Sequence, residues 1–395
     1  MMRLWRVLVA VFVLMWTVSQ GAAAADWVGT WACGPQLTEP ANLPPVPLAQ
    51  ATLRQFVHVT LGGSRVRVRL SNRFGTGPVE VRAAHLALPG AGGGGAITAA
   101  TDRALAFHDA PAVTILPGAE VVSDPVAFDL PPLTNLAVTI QFGAISATSL
   151  NGHPGSRTTS FIQPGGAPAA ETLPGAAKTA HWYILTGVEV MADAGAGAVA
   201  ILGDSLTDGR GSTTDGNNRW PDCLARRLAV ERATAGVAVL NLGIGGNGLF
   251  GGLGPPATAR FERDVLSQAG VRWVIVFEGV NDIGAGRDAE AIVRAYGLLV
   301  RQARARNLRA YGAMLTPFAG HSYHSPAREA ARQKVNDWIR SSGTFDAVID
   351  FDAAARDPQA PGRLLRAYDS GDGLHLNPAG YQALADAVEV KLFGK

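Results

Sequence analysis

Two hydrophobic patterns divide the chain. From Asp26 to about Asp193, apolar and polar residues alternate in short runs separated by Gly, Pro, Asn and Asp, as over 55–60, 65–70, 79–82 and 135–142. A period of two sends successive side chains to opposite faces. Val66, Val68 and Leu70 therefore share one face and Arg65, Arg67 and Arg69 the other, as a half-buried antiparallel strand requires. Several such runs with turn signals between them predict an all-β sandwich or jelly roll. The Gly/Ala tract at 90–95 reads as a flexible hairpin loop. After Ala194-Gly-Ala-Gly197 the pattern changes. Continuous apolar runs at 198–202, 237–242, 273–277, 308–315 and 347–351 alternate with helical segments near 221–234, 258–268, 288–306, 326–340 and 378–392. Strand, crossover helix and strand repeated in this way predict an α/β fold with a doubly wound parallel sheet. The expected division is a leader over 1–25, a β-sandwich accessory domain over 26–195 and an α/β domain over 196–395.

The leader is a third pattern. Arg3 and Arg6 precede an apolar stretch of twelve residues, Val7 to Val18, and Gly21-Ala-Ala-Ala-Ala25 supplies small residues before Asp26. This is the layout of a cleaved export signal, and a membrane span would need about 20 apolar residues. The expectation is a secreted or periplasmic protein with no stable membrane insertion after cleavage. In an oxidising compartment Cys33 and Cys223 either form a disulfide or stay apart, with Cys223 packed beside Leu224 and Leu228.

Composition narrows the partners. The 395 residues are 47% hydrophobic and 17% charged, with a net charge of +2. That excludes a disordered chain, and the scattered Lys and Arg offer no tract for nucleic acid. Two Cys are too few for a cysteine-built zinc site, and His321 and His324 beside Ser322 and Tyr323 lack supporting carboxylate spacing. That pair reads as a loop bordering the cleft, and neither a metal nor another cofactor is called for.

In a doubly wound sheet the site lies at the carboxyl ends of the strands. The first predicted strand runs into Gly203-Asp204-Ser205, where a Ser at a strand tip faces a cleft. The second runs into Asn241-Leu-Gly-Ile-Gly-Gly246-Asn-Gly248, a loop whose N–H groups can approach a ligand closely. Gly243, Gly245 and Gly248 also fit a dinucleotide-binding spacing, but no acidic strand end follows at the required distance. The third strand runs into Glu278-Gly279-Val-Asn281-Asp282, and the Asn281 amide is a candidate oxyanion donor. Asp372-Gly-Leu-His375 places a carboxylate and an imidazole three residues apart on one loop, the pairing that orients a general base toward a Ser hydroxyl.

In this order, Gly203-Asp204-Ser205, Gly246, Gly279-x-Asn281-Asp282 and Asp372-x-x-His375 resemble the four blocks of the SGNH hydrolases, also called GDSL esterases/lipases, over about residues 196–395. The resemblance implies a flavodoxin-like sheet, Ser205 as nucleophile, His375 as base and Asp372 as its orienter. It implies Ser205 N–H, Gly246 N–H and the Asn281 amide as the oxyanion hole, with Gly243, Gly245 and Gly248 close competitors for the Gly246 role. A β-rich region ahead of such a domain is similar to the layout of some acetyl esterases acting on plant polysaccharides.

The expected activity is hydrolysis of short-acyl, chiefly acetyl, esters through an acyl-enzyme, on a small-molecule or polysaccharide substrate. Two alternatives use the same residues: an inactive carbohydrate-binding protein, and an acyltransferase that delivers the acyl group to a sugar hydroxyl. The loop Asn151-Gly-His153-Pro-Gly-Ser-Arg157 is either a solvated turn or a wall of the cleft, with His153 and Arg157 bonding substrate oxygens.

Overall fold

Two kinds of strand occur in the computed structural model, which describes residues 26–145 and 149–394. The expected leader at 1–25 lies outside the described residues. Strands of the first kind are amphipathic and pair antiparallel. Gly63–Ser71 buries Val66, Val68 and Leu70 completely. On its opposite face Arg67 and Arg69 each donate at 2.6 Å to the buried carboxylate of Glu189 on the neighbouring strand. Asp26–Ala32, Leu185–Ala192 and Gly63–Ser71 form the centre of one antiparallel sheet. Ala51–Val59, Thr134–Phe142 and Val79–Ala87 form the centre of a second. The tract at 90–95 is anchored at its end, because the fully buried Arg54 guanidinium donates to Gly95 O at 2.7 Å.

Strands of the second kind are mostly buried on both faces, as their apolar runs require, except the edge strand Ala347–Ile349, where Val348 is exposed. Val237–Gly243, Gly197–Gly203, Val271–Phe277, Arg309–Ala313 and Ala347–Ile349 lie side by side in that order, all parallel. Numbered along the chain the order is 2-1-3-4-5, the doubly wound arrangement with its crevice beside the first strand. The main helices, Trp220–Val230, Ala289–Ala305, Pro326–Ser341 and Pro378–Asp386, fall where the sequence predicts them. The last strand ends earlier than expected. Asp350 accepts the Ala353 N–H at 2.8 Å and caps the short helix Phe351–Ala355, which no periodicity announces.

The antiparallel part covers an edge of the parallel sheet. Thr60 Oγ1 accepts the Val239 N–H at 3.0 Å, and the Gly29 N–H donates to Ala269 O at 2.9 Å. Pairing an exposed edge in this way removes an open template for association. Buried apolar side chains from both parts, Val28 and Leu240 among them, belong to one contiguous core.

The Cys33–Cys223 bridge is not formed. Both are free, buried thiols. Cys33 lies 3.6 Å from Leu185 O, and Cys223 receives the Arg226 guanidinium at 3.1 Å, so each has separate surroundings. Among the described residues no helix is long and apolar enough to cross a membrane.

Candidate active site

The strand Gly197–Gly203 delivers Asp204 and Ser205 to the carboxyl edge of the sheet. A Cβ at Gly203 would sit 2.2 Å from Thr207 Oγ1, so this close turn tolerates only glycine. The Asp204 carboxylate accepts the Leu206 N–H at 2.9 Å and turns the chain directly into the helix Ser205–Asp208. As the first helical residue, Ser205 has an N–H with no intrahelical acceptor.

The Ser205 hydroxyl donates to His375 Nε2 at 2.8 Å, and His375 Nδ1–H donates to Asp372 Oδ2 at 2.6 Å. An ionised carboxylate only accepts, so the imidazole proton belongs on Nδ1 and the Nε2 lone pair faces the hydroxyl. The loop is braced from within. Asp372 Oδ1 accepts the N–H groups of Leu374 and His375 at 3.0 and 2.8 Å. Asp369 Oδ1 accepts those of Gly371 and Gly373 at 2.7 and 3.1 Å. Gly373 has φ +76°, and a Cβ there would lie 2.9 Å from His321 N. Asn377 then caps the last main helix by accepting the Gly380 N–H at 3.0 Å.

These contacts set the electrostatics. Burial pushes the Asp372 carboxyl up, but the His375 N–H, the His375 imidazole and the Leu374 N–H together hold it down at about 2. For His375 burial is the largest influence and lowers its pKa from the ordinary 6.5. Asp372 opposes that shift, while Arg210 and His321 add to it. A neutral imidazole at neutral pH is the form a general base needs.

Ser205, His375, Gly246 and Asn281 line one cleft of about 330 Å³. Of the four glycines that competed in the sequence, Gly245 and Gly246 reach it and Gly243 and Gly248 do not. The Asn281 amide is fixed at both ends. Its Nδ2 donates to Asn247 O at 2.7 Å and its Oδ1 accepts the Tyr323 hydroxyl at 3.0 Å, which leaves one N–H free. Asp282 accepts the N–H groups of Leu249 and Phe250 at 2.8 and 3.3 Å, lashing the glycine loop to the Asn281 turn.

Two supporting side chains escape sequence reasoning. Tyr323, read only as part of a cleft-bordering loop, orients Asn281. Arg260, 1% exposed, donates to Gly203 O at 3.0 Å, Leu242 O at 2.7 Å and Asn247 Oδ1 at 2.9 Å, so one guanidinium joins the ends of the first two strands to the glycine loop. In the sequence, Arg260 and Asp264 look like an ordinary surface pair one helical turn apart. Their burial appears only in the fold.

The loop ahead of Arg157 does wall the cleft, through Pro154, Gly155 and Arg157, but His153 is not one of its cleft contacts. The His153 ring is buried, with Nδ1 at 2.9 Å from Gly34 O and Nε2 at 2.9 Å from Asp208 Oδ1, so both ring nitrogens face acceptors of the protein itself. Gln36, Glu39 and Asn42, also from the antiparallel part, complete that wall. His321 borders the cleft with Tyr323. Among the described residues no group of three or more His, Cys, Asp or Glu side chains is placed to hold a metal ion.

Residues 201–383 match the sequence model of the GDSL-like Lipase/Acylhydrolase family. Solved structures to which the chain is similar include a GDSL-like lipase from Bacteroides thetaiotaomicron, 17% identical over 48% of this chain and 84% of that one, with a TM-score of 0.37. A member of the lipolytic G-D-S-L family from Veillonella parvula is 18% identical over 49% of this chain and 96% of that one, with a TM-score of 0.37. An acetyl xylan esterase is 20% identical over 48% and 96%, with a TM-score of 0.36. No curated protein matches the chain. Residues 201–383 thus match the GDSL-like Lipase/Acylhydrolase family and fold around the doubly wound parallel sheet, behind a strand-rich N-terminal region.

Proposed function

We propose that the protein is an exported serine esterase that removes short acyl groups, chiefly acetyl, from polar alcohols such as carbohydrates. The observation that carries this reading is the relay Ser205–His375–Asp372, with links of 2.8 and 2.6 Å, opening into a cleft of mixed polar lining. His375 Nε2 takes the Ser205 proton as Oγ attacks the ester carbonyl, giving a tetrahedral oxyanion. Ser205 N–H, Gly246 N–H and the free Asn281 N–H are the donors that receive it. The carbon–oxygen bond to the alcohol breaks as His375 returns the proton to the leaving oxygen. Water, deprotonated by the same imidazole, then attacks the acyl-enzyme and releases the acid. Asp372 holds the Nδ1 tautomer and balances the imidazolium formed in each half-reaction.

The acyl group is short because Leu253 and Leu374 are the aliphatic side chains that Leu, Ile or Val supply to the lining, too few for a long chain. The strand-rich region serves as the alcohol-side wall through Gln36, Glu39, Asn42 and Arg157. The deciding experiment is a chain-length series of nitrophenyl esters alongside Ser205→Ala. Turnover that peaks at acetate and is abolished in the variant, with phosphonate labelling at Ser205 in the parent, is expected. Labelling of another Ser, or a peak at long acyl chains, rejects the reading.

A further inference from the structure

We propose that the alcohol portion of the preferred ester carries a carboxylate, held by Arg157 and Arg210. This rests on the esterase reading above and names the substrate class for the same cleft.

The charges of the cleft are unequally committed. Its three carboxylates are all engaged. Glu39 accepts Gln36 Nε2 at 2.6 Å and Asn42 Nδ2 at 3.0 Å. Asp208 is paired with His153 at 2.9 Å, and Asp372 with His375 at 2.6 Å. The two guanidiniums that line the cleft are not engaged: among the described residues neither Arg157 nor Arg210 has an ion pair or a side-chain hydrogen bond. Arg157 Nε is in addition buried without an acceptor. A charged donor hidden from water without a partner is costly, and a ligand anion offsets that cost.

The backbones of both arginines are fixed, and the Arg210 side chain is exposed at the cleft. Arg157 adopts φ +49°, and its carbonyl accepts the Asp215 N–H at 2.9 Å. Arg210 O accepts the Tyr381 hydroxyl at 2.5 Å from the last main helix. Gly211, next to Arg210, packs so tightly on the loop that ends in His375 that a Cβ there would lie 2.3 Å from Leu376 O. Arg210 is thus on the imidazole side of the cleft. The leaving alcohol receives its proton from that imidazole, so the anion these groups accept belongs to the alcohol and not to the acyl chain. A planar fork suits a carboxylate, as on a uronic acid or a hydroxy acid.

The test compares para-acetoxybenzoate with its uncharged methyl ester, and meta-acetoxybenzoate with its own. Each ratio of kcat/KM is divided by the ratio of the hydroxide-catalysed rates, so that leaving-group reactivity cancels. The full-length protein is expected to favour the carboxylate by about 10- to 100-fold, the range of hydrogen bonds to charged groups. That ratio should fall toward unity in Arg157→Gln and in Arg210→Gln and lie between in Arg157→Lys, which keeps the charge without the fork. Because the ratio is the readout, a loss common to both esters does not enter it. A corrected ratio at or below unity, or one that survives both Gln substitutions, overturns the inference while leaving the esterase reading intact. Turnover of neither ester by the parent protein overturns both. An acetoxyphenyl phosphate preferred over the carboxylate assigns the site to phosphate and rejects the carboxylate.

Discussion

The His375 imidazole is governed by opposing neighbours, which gives the pH dependence a sign. Burial, Arg210 and His321 lower its pKa, and Asp372 raises it. As the proposed base it must be neutral, so kcat/KM is present at higher pH and lost as pH falls through an ionisation below the ordinary 6.5. Asp372→Asn removes the raising partner. The acid limb of the pH–rate profile should move to still lower pH while kcat drops by roughly 10³- to 10⁴-fold. An unmoved limb would show that Asp372 does not orient the base. Asn281→Ala should lower kcat by roughly 10²- to 10³-fold with little change in KM, since one oxyanion donor is lost. Tyr323→Phe frees the amide to rotate without deleting it, so steady-state kinetics should show a smaller fall in kcat with KM again little changed. A raised KM with kcat unchanged would place Asn281 in ground-state binding instead.

The elements behind the nucleophile meet around buried charge. The strand Val271–Phe277 runs into Glu278, whose carboxyl is fully buried and lies 3.8 Å from Arg260 Nη2, beyond hydrogen-bond reach. Neither of its oxygens has a partner among the described residues. Burial first, then Asp204, raise its pKa well above the ordinary 4.5, with Arg260 opposing. The folded protein thus holds a proton that the unfolded chain releases near 4.5, and linkage makes this contribution to stability decline as pH rises from there toward the folded value. Glu278→Gln keeps the shape and removes the titration. Its Tm measured against the parent should improve steadily from about pH 5 to pH 8. A Tm difference constant across that range would mean that Glu278 is ionised in the folded protein. The parallel strands themselves are legible in sequence because burial on both faces demands unbroken apolar runs. The short helix Phe351–Ala355 and the hairpin Arg356–Asp357 with Ala360–Leu364 are not, since two to five residues carry no period.

Across the whole molecule, the strand-rich region and the parallel-sheet region meet at the cleft. The tie closest to the chemistry is His153–Asp208, with both side chains nearly buried at 4% and 3% exposure. Asp208 ends the short helix that begins at Ser205, so the antiparallel region braces the nucleophile's own helix. His153→Ala leaves a buried carboxylate without its partner, a loss of about 3–5 kcal/mol. Chemical denaturation should show that loss, whereas KM for a small acetate ester should change little. A raised KM at unchanged stability would restore His153 as a substrate contact. Thr60 on Val239 and the shared apolar core make the same point at larger scale: the first region covers an edge of the second's sheet.

By itself the sequence determined what depends on local order. Period-two alternation separated the strand-rich region from the apolar runs of the parallel sheet, and Gly203-Asp204-Ser205, Asn281 and Asp372-x-x-His375 stood out because strand ends and tight turns carry their own signals in Gly, Asn and Asp. Tertiary structure decided what depends on who is buried beside whom. An Arg and a carboxylate one helical turn apart look the same in sequence on a surface or in a core, so the part Arg260 plays was invisible. A His in a polar loop reads as a substrate contact until the fold places Asp208 and Gly34 O against its two nitrogens. The narrowing of four neighbouring glycines to Gly245 and Gly246, the separation of the two thiols and the uncommitted guanidiniums of Arg157 and Arg210 are likewise relations between distant segments. They exist only once long-range packing has fixed which polar groups are satisfied and which are left facing the cleft.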